Sequence, residues 1–296
     1  MILGIPPFCK IKNNPICLHT PVCQKTITKT HENYAALGTP DTIWAIPAIH
    51  GDLERLTQIH DNILDHFQCG QKIIYLGNYS GYGPQSANCM NEILAFRRMI
   101  LSVQGVRPSD LVYLRGNQEE MMHKLFQLPF APNPTDCFLW MLGNGMSNTL
   151  QSYGLCPHDA IEACRHGVTP LTKWVAHLRA TIRQNPGHDI FLNQLVRAAY
   201  TDISGQYPML FVHAGLETDK PLPEQGDKLW WGSHDFEAME SPYRPFEKVI
   251  RGYDPAHKGL HLNCITATLD GGCGFGGSLI CTGFDATGNV IQVFES

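Results

Sequence analysis

The sequence predicts an α/β fold in which two β-sheets carry helices on their outer faces. Between residues 42 and 116, three short apolar runs alternate with two segments whose apolar residues recur at helical spacing. Each of these apolar runs leads directly into a polar turn that contains glycine. From residue 208 onward, strand-like runs dominate. An alternating first half followed by a series of strands is typical of such a fold.

The composition is that of a soluble globular protein. Of the 296 residues, 43% are hydrophobic and 17% are charged, and the formal net charge is -5. This charge gives no basic field for nucleic acid, no apolar run approaches the roughly 18 residues of a membrane span, and no signal peptide is evident at the start. Eleven cysteines without a C-x-x-C pair indicate free thiols in a reducing compartment. We expect a cytoplasmic protein that binds neither nucleic acid nor membrane.

Residues 1–40 are predicted to form an N-terminal arm, separate from a domain at 41–296. The arm is rich in proline and lysine and shows no sustained period. Cys9, Cys17, Cys23 and His19 are conceivable zinc ligands, but their spacing matches no common zinc module.

The elements that follow are predicted in order. "TIWAIP", "KIIYLG" and "DLVYLRG" are strands, and "DLERLTQIHDNILDHF" and "SANCMNEILAFRRMILSVQ" are the helices between them. This order implies parallel strands with right-handed crossovers. Residues 119–200 are predicted to be mostly helical, up to and including "HDIFLNQLVRAAY". "PMLFVHAG" and "EKVIRGYD" are strands, and "HLNCITATLD", "GSLICTGFD" and "NVIQVFE" are expected to be antiparallel.

Polar residues follow the predicted strands at the points where they end. His50, Asn78 and Asn117 come after the first three strands, and His213 follows a later one. Loops at the carboxyl ends of parallel strands line a common crevice. The spacing therefore predicts that these residues converge in one pocket.

Five strand-end turns also carry a resemblance. They read PAIHG at 47–51, GNYSGYGP at 77–84, LRGNQE at 114–119, FVHAG at 211–215 and GYDP at 252–255. In the same order they resemble the motifs G-D-x-H-G, G-D-Y-x-D-R-G-P, L-R-G-N-H-E, F-V-H-A-G and G-H-T-P of the calcineurin-like metallophosphoesterases. The resemblance is nearest to the bacterial phosphoprotein phosphatases related to diadenosine tetraphosphatases. It implies a two-sheet αββα metallophosphoesterase sandwich with a helical insertion at about 119–200.

The resemblance also implies which positions would hold two divalent metals and phosphate. His50, Asn117 and His213 match metal ligands, whereas Ala48, Asn78 and Tyr253 stand where the family has aspartate, a bridging aspartate and histidine. Three further positions differ: Gln118 replaces the general acid, Gly81 the aspartate that partners it, and Tyr82 the arginine that grips phosphate. Gly232 loosely aligns with a second arginine.

These differences predict that the two-metal reaction is absent. Two dications about 3.5–4 Å apart repel each other, and only anionic ligands offset that repulsion. A glutamine cannot give up a proton near neutral pH. We expect no cofactor and no catalytic residue, and instead a binding or regulatory pseudophosphatase whose partner is another protein or a phosphorylated small molecule.

Alternatives remain open at the sequence level. A single Zn, Mn or Fe ion could bind His50, Asn117 and His213 with a displaced carboxylate such as Asp254 or Asp52, which would permit weak phosphoester hydrolysis. The two histidines could equally be retained for hydrogen bonds to the turn backbone. Arg115 and Arg251 could bind an anion, or could pair with Glu119, Asp254 or Asp52. A purely architectural role, with assembly through the arm, is a third interpretation.

Overall fold

The computed structural model describes residues 34–296, so the four arm residues considered as conceivable zinc ligands lie outside the described residues. The strands are β1 Tyr34–Gly38, β2 Thr42–Ile46, β3 Lys72–Tyr75, β4 Leu111–Tyr113, β5 Ala198–Thr201, β6 Met209–Val212, β7 Lys248–Arg251, β8 His261–Leu262, β9 Thr266–Thr268, β10 Ile280–Asp285 and β11 Val290–Glu295. The α-helices are α1 Leu53–His66, α2 Ser86–Leu101, α3 Asn117–Leu125, α4 Pro134–Met141, α5 Ser147–Ser152, α6 Pro157–Arg165, α7 Val168–Arg183, α8 His188–Asn193, α9 Lys228–Trp231 and α10 His234–Glu237.

The strands form two sheets. The first has the order β11-β10-β2-β3-β4, and its strands β2, β3 and β4 are parallel, as predicted. β10 pairs antiparallel with β11, as predicted, and it also runs antiparallel to β2, a pairing that the sequence did not indicate. The second sheet has the order β1-β5-β6-β7-β9-β8.

The layers follow from the alternation of side chains along each strand. In β2, Ile43 and Ala45 point into the core between the two sheets, whereas Trp44 and Ile46 pack against the outer helices. α1 buries its Leu56, Ile59 and Ile63 stripe on that outer face, and Asp52 caps its first turn by accepting the backbone N–H of Arg55. The outer face of the second sheet is covered by α9 and α10. The result is the predicted arrangement of helix, sheet, sheet and helix.

Two predicted boundaries and one predicted strand direction were wrong. Tyr34–Gly38 lies inside the predicted arm but forms an edge strand parallel to β5, so the domain begins no later than Tyr34. The predicted helix after His188 ends at Asn193, and Ala198–Thr201 is a strand because β1 and β6 pair with its backbone on either side. β9 runs parallel to β7, and only its short contact with β8 is antiparallel.

The region between β4 and β5 contains helices α3 to α8, in keeping with the predicted helical insertion. A π-helical turn, Leu142–Met146, interrupts it near the ends of the central strands. Within residues 34–296, no helix has the length and apolarity needed to cross a bilayer, and the cysteines in this range are free thiols.

Candidate functional site

The loops that follow β2 and β3 are joined through their backbones. Ile49 N and His50 N both donate to the carbonyl oxygen of Asn78, at 2.9 and 2.8 Å. His50 and Asn78 have positive φ angles of 54° and 57°, a conformation that non-glycine residues rarely adopt. Over residues 34–296, the only other such residue is His257. Backbone strain of this kind is concentrated where the surrounding structure enforces it, often at functional sites.

Glu119 holds the third loop against the second. Its buried carboxylate accepts the backbone N–H groups of Asn78 and Tyr79, at 2.9 and 3.0 Å, and the N–H of Gly116 at 3.0 Å. It also accepts the N–H and hydroxyl of Ser80. One acidic side chain thus positions the residues on which the predicted pocket depends.

The hydrogen bonds of this pocket determine which way each amide and ring faces. Asn78 Oδ1 accepts the backbone N–H of Gln118 at 3.1 Å, so Asn78 Nδ2 is directed at His50 Nε2, 3.3 Å away. His50 Nε2 is therefore an acceptor, and its Nδ1 carries the proton. Gln118 donates through Nε2 to the carbonyl oxygen of Asn144 at 2.8 Å.

His213 and Tyr253 lie on the other side of the pocket. His213 Nδ1 donates to the carbonyl oxygen of Leu76 at 2.6 Å, which makes its Nε2 an acceptor. The Tyr253 ring stacks on His213 with centroids 5.2 Å apart and planes 5° from parallel. Burial raises the pKa of Tyr253, and the neighbouring Asn117 side chain opposes that rise. The structure therefore brings together the four strand-end residues predicted to converge.

Four buried side-chain atoms of this pocket have no hydrogen-bond partner: His50 Nδ1, Asn117 Oδ1, Gln118 Oε1 and His213 Nε2. All four side chains belong to residues that are at most 4% exposed. A buried polar atom without a partner is costly and calls for an explanation. These atoms mark the centre of the candidate site, which we call the cleft.

Aromatic rings cover the cleft. Tyr82, Tyr253 and Phe275 each contact the His50 ring edge-on, with centroids 5.3, 5.6 and 5.2 Å away. Phe275 is 42% exposed and also packs on Tyr82 at 4.4 Å. We call these three rings the aromatic cover. Tyr253 also forms a small apolar cluster with Ala48 and Ala214.

The sequence analysis missed three site residues: Asp270, His257 and Phe275. Asp270 is buried, and its carboxylate accepts His257 Nδ1 at 3.1 Å and the backbone N–H groups of Asp254 and Gly272 at 2.9 Å each. Although burial alone would raise it, these hydrogen bonds keep the pKa of Asp270 below its usual range. The one available signal was that Asp270 begins "DGGCGFGG", the segment that also supplies Phe275.

The two arginines considered as anion-binding residues pair with carboxylates of the protein. Arg251 donates to Thr268 Oγ1 at 2.9 Å and pairs with Asp254 at 3.2 Å, one of the pairings that the sequence left open. Arg115 pairs with Glu120 rather than with Glu119. Both arginines are therefore paired within the protein, and anion binding by them stays a prediction.

The displaced carboxylates proposed as metal ligands are also engaged. Asp52 caps α1, and Asp254 accepts the backbone N–H groups of Ala256 and Lys258 besides pairing with Arg251. In the described part of the chain, no three His, Cys, Asp or Glu side chains are grouped so as to hold a metal ion.

The two glycines at substituted positions lie against the cleft. A Cβ at Gly81 would lie 2.5 Å from His50 Nδ1, and the φ of Gly81 is 142°. An aspartate at this position would therefore need His50 to move. Gly232 approaches Ala214 and Pro255, with a φ of 77°.

The two buried histidines predict a pH dependence of stability. Burial lowers the pKa of His50 to about 3 and that of His213 to about 4, from an ordinary value of 6.5. The unfolded chain then binds more protons than the folded one, so this stability is present above pH 6.5 and is lost as the pH falls towards 4. We expect the free energy of unfolding to be lower at pH 5 than at pH 7.5 by about 2 kcal/mol for each histidine.

Urea unfolding at the two pH values measures this difference. In the His213→Gln variant, the difference in the free energy of unfolding between the two pH values should be about half as large. In His66→Gln, a substitution at an exposed position, the difference should be unchanged. A difference under about 1 kcal/mol in the unchanged protein would contradict the prediction.

No protein-family model and no curated protein matches the chain. Among solved structures, it is similar to a candidate diadenosine tetraphosphatase, with 17% identity and a TM-score of 0.52 over 90% of this chain and 99% of the other. A serine/threonine phosphatase from Saccharomyces cerevisiae with similarity to human phosphatase PP5 is 14% identical, with a TM-score of 0.47 over 89% of this chain and 83% of the other. A metallophosphoesterase from Sphaerobacter thermophilus is 12% identical, with a TM-score of 0.41 over 86% and 88%.

Identities this low are informative about the fold only. Of the three structures, the first has a TM-score above 0.5 and is the one that bears on the fold of this chain. Its likeness covers almost the whole of both chains. Together with the two sheets and their outer helices, it shows that this chain has the two-sheet αββα metallophosphoesterase fold, as predicted. Because one fold hosts many functions, the activity has to be argued from the cleft.

Proposed function

We propose that this chain is a pseudophosphatase: a catalytically inactive protein of metallophosphoesterase fold that acts by binding. The observation that carries the proposal is the contact between Asn78 Nδ2 and His50 Nε2 at 3.3 Å. An amide N–H directed at this nitrogen occupies the lone pair with which a histidine would bind a metal.

The other side chains of the cleft do not fit a pair of divalent metals. The side chains at these positions could only be uncharged metal ligands: Asn78, Asn117, Gln118 and His213. Hard dications held side by side need charged oxygen ligands. The nearby carboxylate, Asp270, is directed at two backbone N–H groups and His257. No hydrolytic step through a metal pair follows from this arrangement.

The role we propose is regulatory binding in the reducing environment of the cytoplasm, where free thiols persist. The partner is another protein or a small molecule held at the cleft. The sequence left a protein partner and a phosphorylated small molecule as alternatives.

Metal content and turnover test the proposal. Full-length protein prepared with excess Mn, Zn or Fe is expected to retain well under one equivalent of metal. It is also expected to hydrolyse p-nitrophenyl phosphate at a rate that His50→Ala leaves unchanged. Stoichiometric metal together with turnover abolished by His50→Ala would refute the proposal.

A weak single-metal phosphoesterase is the second candidate, and one observation favours it. His213 Nε2 has a free lone pair, and its ring is oriented by the Leu76 carbonyl in the way that metal-ligating histidines usually are. The unpartnered Asn117 Oδ1 would supply a second ligand. One equivalent of zinc that is lost in His213→Ala but kept in His66→Ala would favour this candidate.

A further inference from the structure

The unpartnered atoms of the cleft are mostly acceptors. Gln118 Oε1 is an acceptor because Gln118 Nε2 is used by Asn144, and His213 Nε2 is one because Nδ1 donates to Leu76. Asn117 Oδ1 accepts by its chemistry. The remaining atom, His50 Nδ1, is a donor because Asn78 occupies Nε2. The cleft thus offers three acceptors for one donor.

The electrostatics of the cleft also favour a cation over an anion. Asp270 is ionised, and it interacts electrostatically with both histidines and with Tyr253. Arg251 pairs with Asp254 and Arg115 with Glu120, so a carboxylate of the protein already balances the charge of each guanidinium. A phosphate would place its oxygens against three lone pairs and beside a carboxylate.

We propose that the cleft recognises a small organic cation of the primary ammonium class, R–NH₃⁺, and not a phosphate. An ammonium group has three N–H donors and no acceptor, which complements Asn117 Oδ1, Gln118 Oε1 and His213 Nε2. The rings of the aromatic cover add a surface that is favourable for cations. This inference deepens the proposed function and rests on its premise that no metal occupies these atoms.

Access to the cleft would be through Phe275. It is the exposed ring of the aromatic cover, and it lies between Gly274 and Gly276, whose φ angles are 83° and 89°. The His257 ring packs on this ring with centroids 4.0 Å apart, and His257 Nδ1 is hydrogen-bonded to Asp270. A ligand that displaces Phe275 would therefore meet the aromatic cover first and the buried acceptors next.

Binding of methylammonium chloride to full-length, metal-free protein at pH 7.5 tests the inference, with protein NMR shifts as the readout. Sodium phosphate and tetramethylammonium chloride serve as comparisons at equal ionic strength. We expect saturable shifts of cleft resonances with methylammonium only. Tetramethylammonium has the charge but no N–H, so it isolates the contribution of hydrogen bonding.

Variants at Gln118 sharpen the test. Gln118→Met keeps the length of the side chain but removes the free acceptor, together with the Nε2 donor that binds the Asn144 carbonyl. It should weaken methylammonium binding at least about tenfold, as expected for the loss of one hydrogen bond to a charged group. Gln127→Met, on the exposed end of the same helical region, is the matched control and should bind as the unchanged protein does. Gln118→Glu adds a negative charge and should tighten binding.

Three results would overturn the inference: phosphate binding more tightly than methylammonium, equal binding of tetramethylammonium, or no saturable binding by any of the three. Each of them leaves the metal and turnover measurements unchanged. Failure of this inference is thus distinguishable from failure of the proposed function.

Discussion

The Glu119→Ala variant is expected to lose at least about 3 kcal/mol of its free energy of unfolding. Glu119 is 3% exposed, and its carboxylate is the acceptor for the backbone N–H groups of Gly116, Asn78 and Tyr79. Each buried N–H left without a partner costs about 1–3 kcal/mol. Because the loops after β3 and β4 are both held by this side chain, the cleft should lose its order along with the stability.

Urea unfolding measures the loss, and Glu54→Ala provides the control. Glu54 is an exposed glutamate in the first turn of α1, where it contributes no more than about 1 kcal/mol. A Glu119→Ala variant as stable as Glu54→Ala would show that water or neighbouring side chains can replace the carboxylate, which the arrangement described above does not allow.

The Gly116→Ala variant is expected to be destabilised by a similar amount, and for a steric reason. A Cβ at this position would overlap Asn78 Oδ1 and the backbone nitrogen of Asn78, and would lie 2.9 Å from Glu119 Oε2. These atoms belong to a buried hydrogen-bonded network, so they cannot move aside at low cost. We expect a loss of about 3 kcal/mol or more, measured as a lower midpoint in urea.

Gly143→Ala is the matched control for this substitution. A Cβ at Gly143 has nothing within 4 Å, and the residue is exposed on the π-helical turn. Its stability should therefore change by less than about 1 kcal/mol. Because the φ of Gly116 is -92°, a value that alanine adopts freely, equal effects of the two alanines would mean that the network around Asn78 moves aside at little cost and would contradict the prediction.

The convergence of His50, Asn78, Asn117 and His213 was predictable because it depends on local patterns. Each follows an apolar run of strand length, and parallel strands bring their carboxyl ends to one edge. The pairing of Asp270 with His257 was not predictable in this way. It depends on the path of the loop between β7 and β8, which has no periodic pattern, and on the left-handed backbone of His257.

The strands β1 and β5 were not predicted from the sequence, for a related reason. Ala198–Thr201 follows directly on a helical pattern and is too short to carry a period of its own. Its strand conformation arises from pairing with β1 on one side and β6 on the other. Propensity is a weak guide where the partners of a segment are distant in sequence.

The sequence by itself determined the two-sheet fold and the place of the cleft, because side-chain periodicity and the glycine-containing turns at strand ends are properties of consecutive residues. It also showed which chemical groups stand at the turns. Only the tertiary structure decided how those groups face one another: which nitrogen of His50 is occupied, which atoms have no partner, and which carboxylate is nearby. Hydrogen-bond direction and burial depend on neighbours far apart along the chain, so they exist only once the loops are packed together.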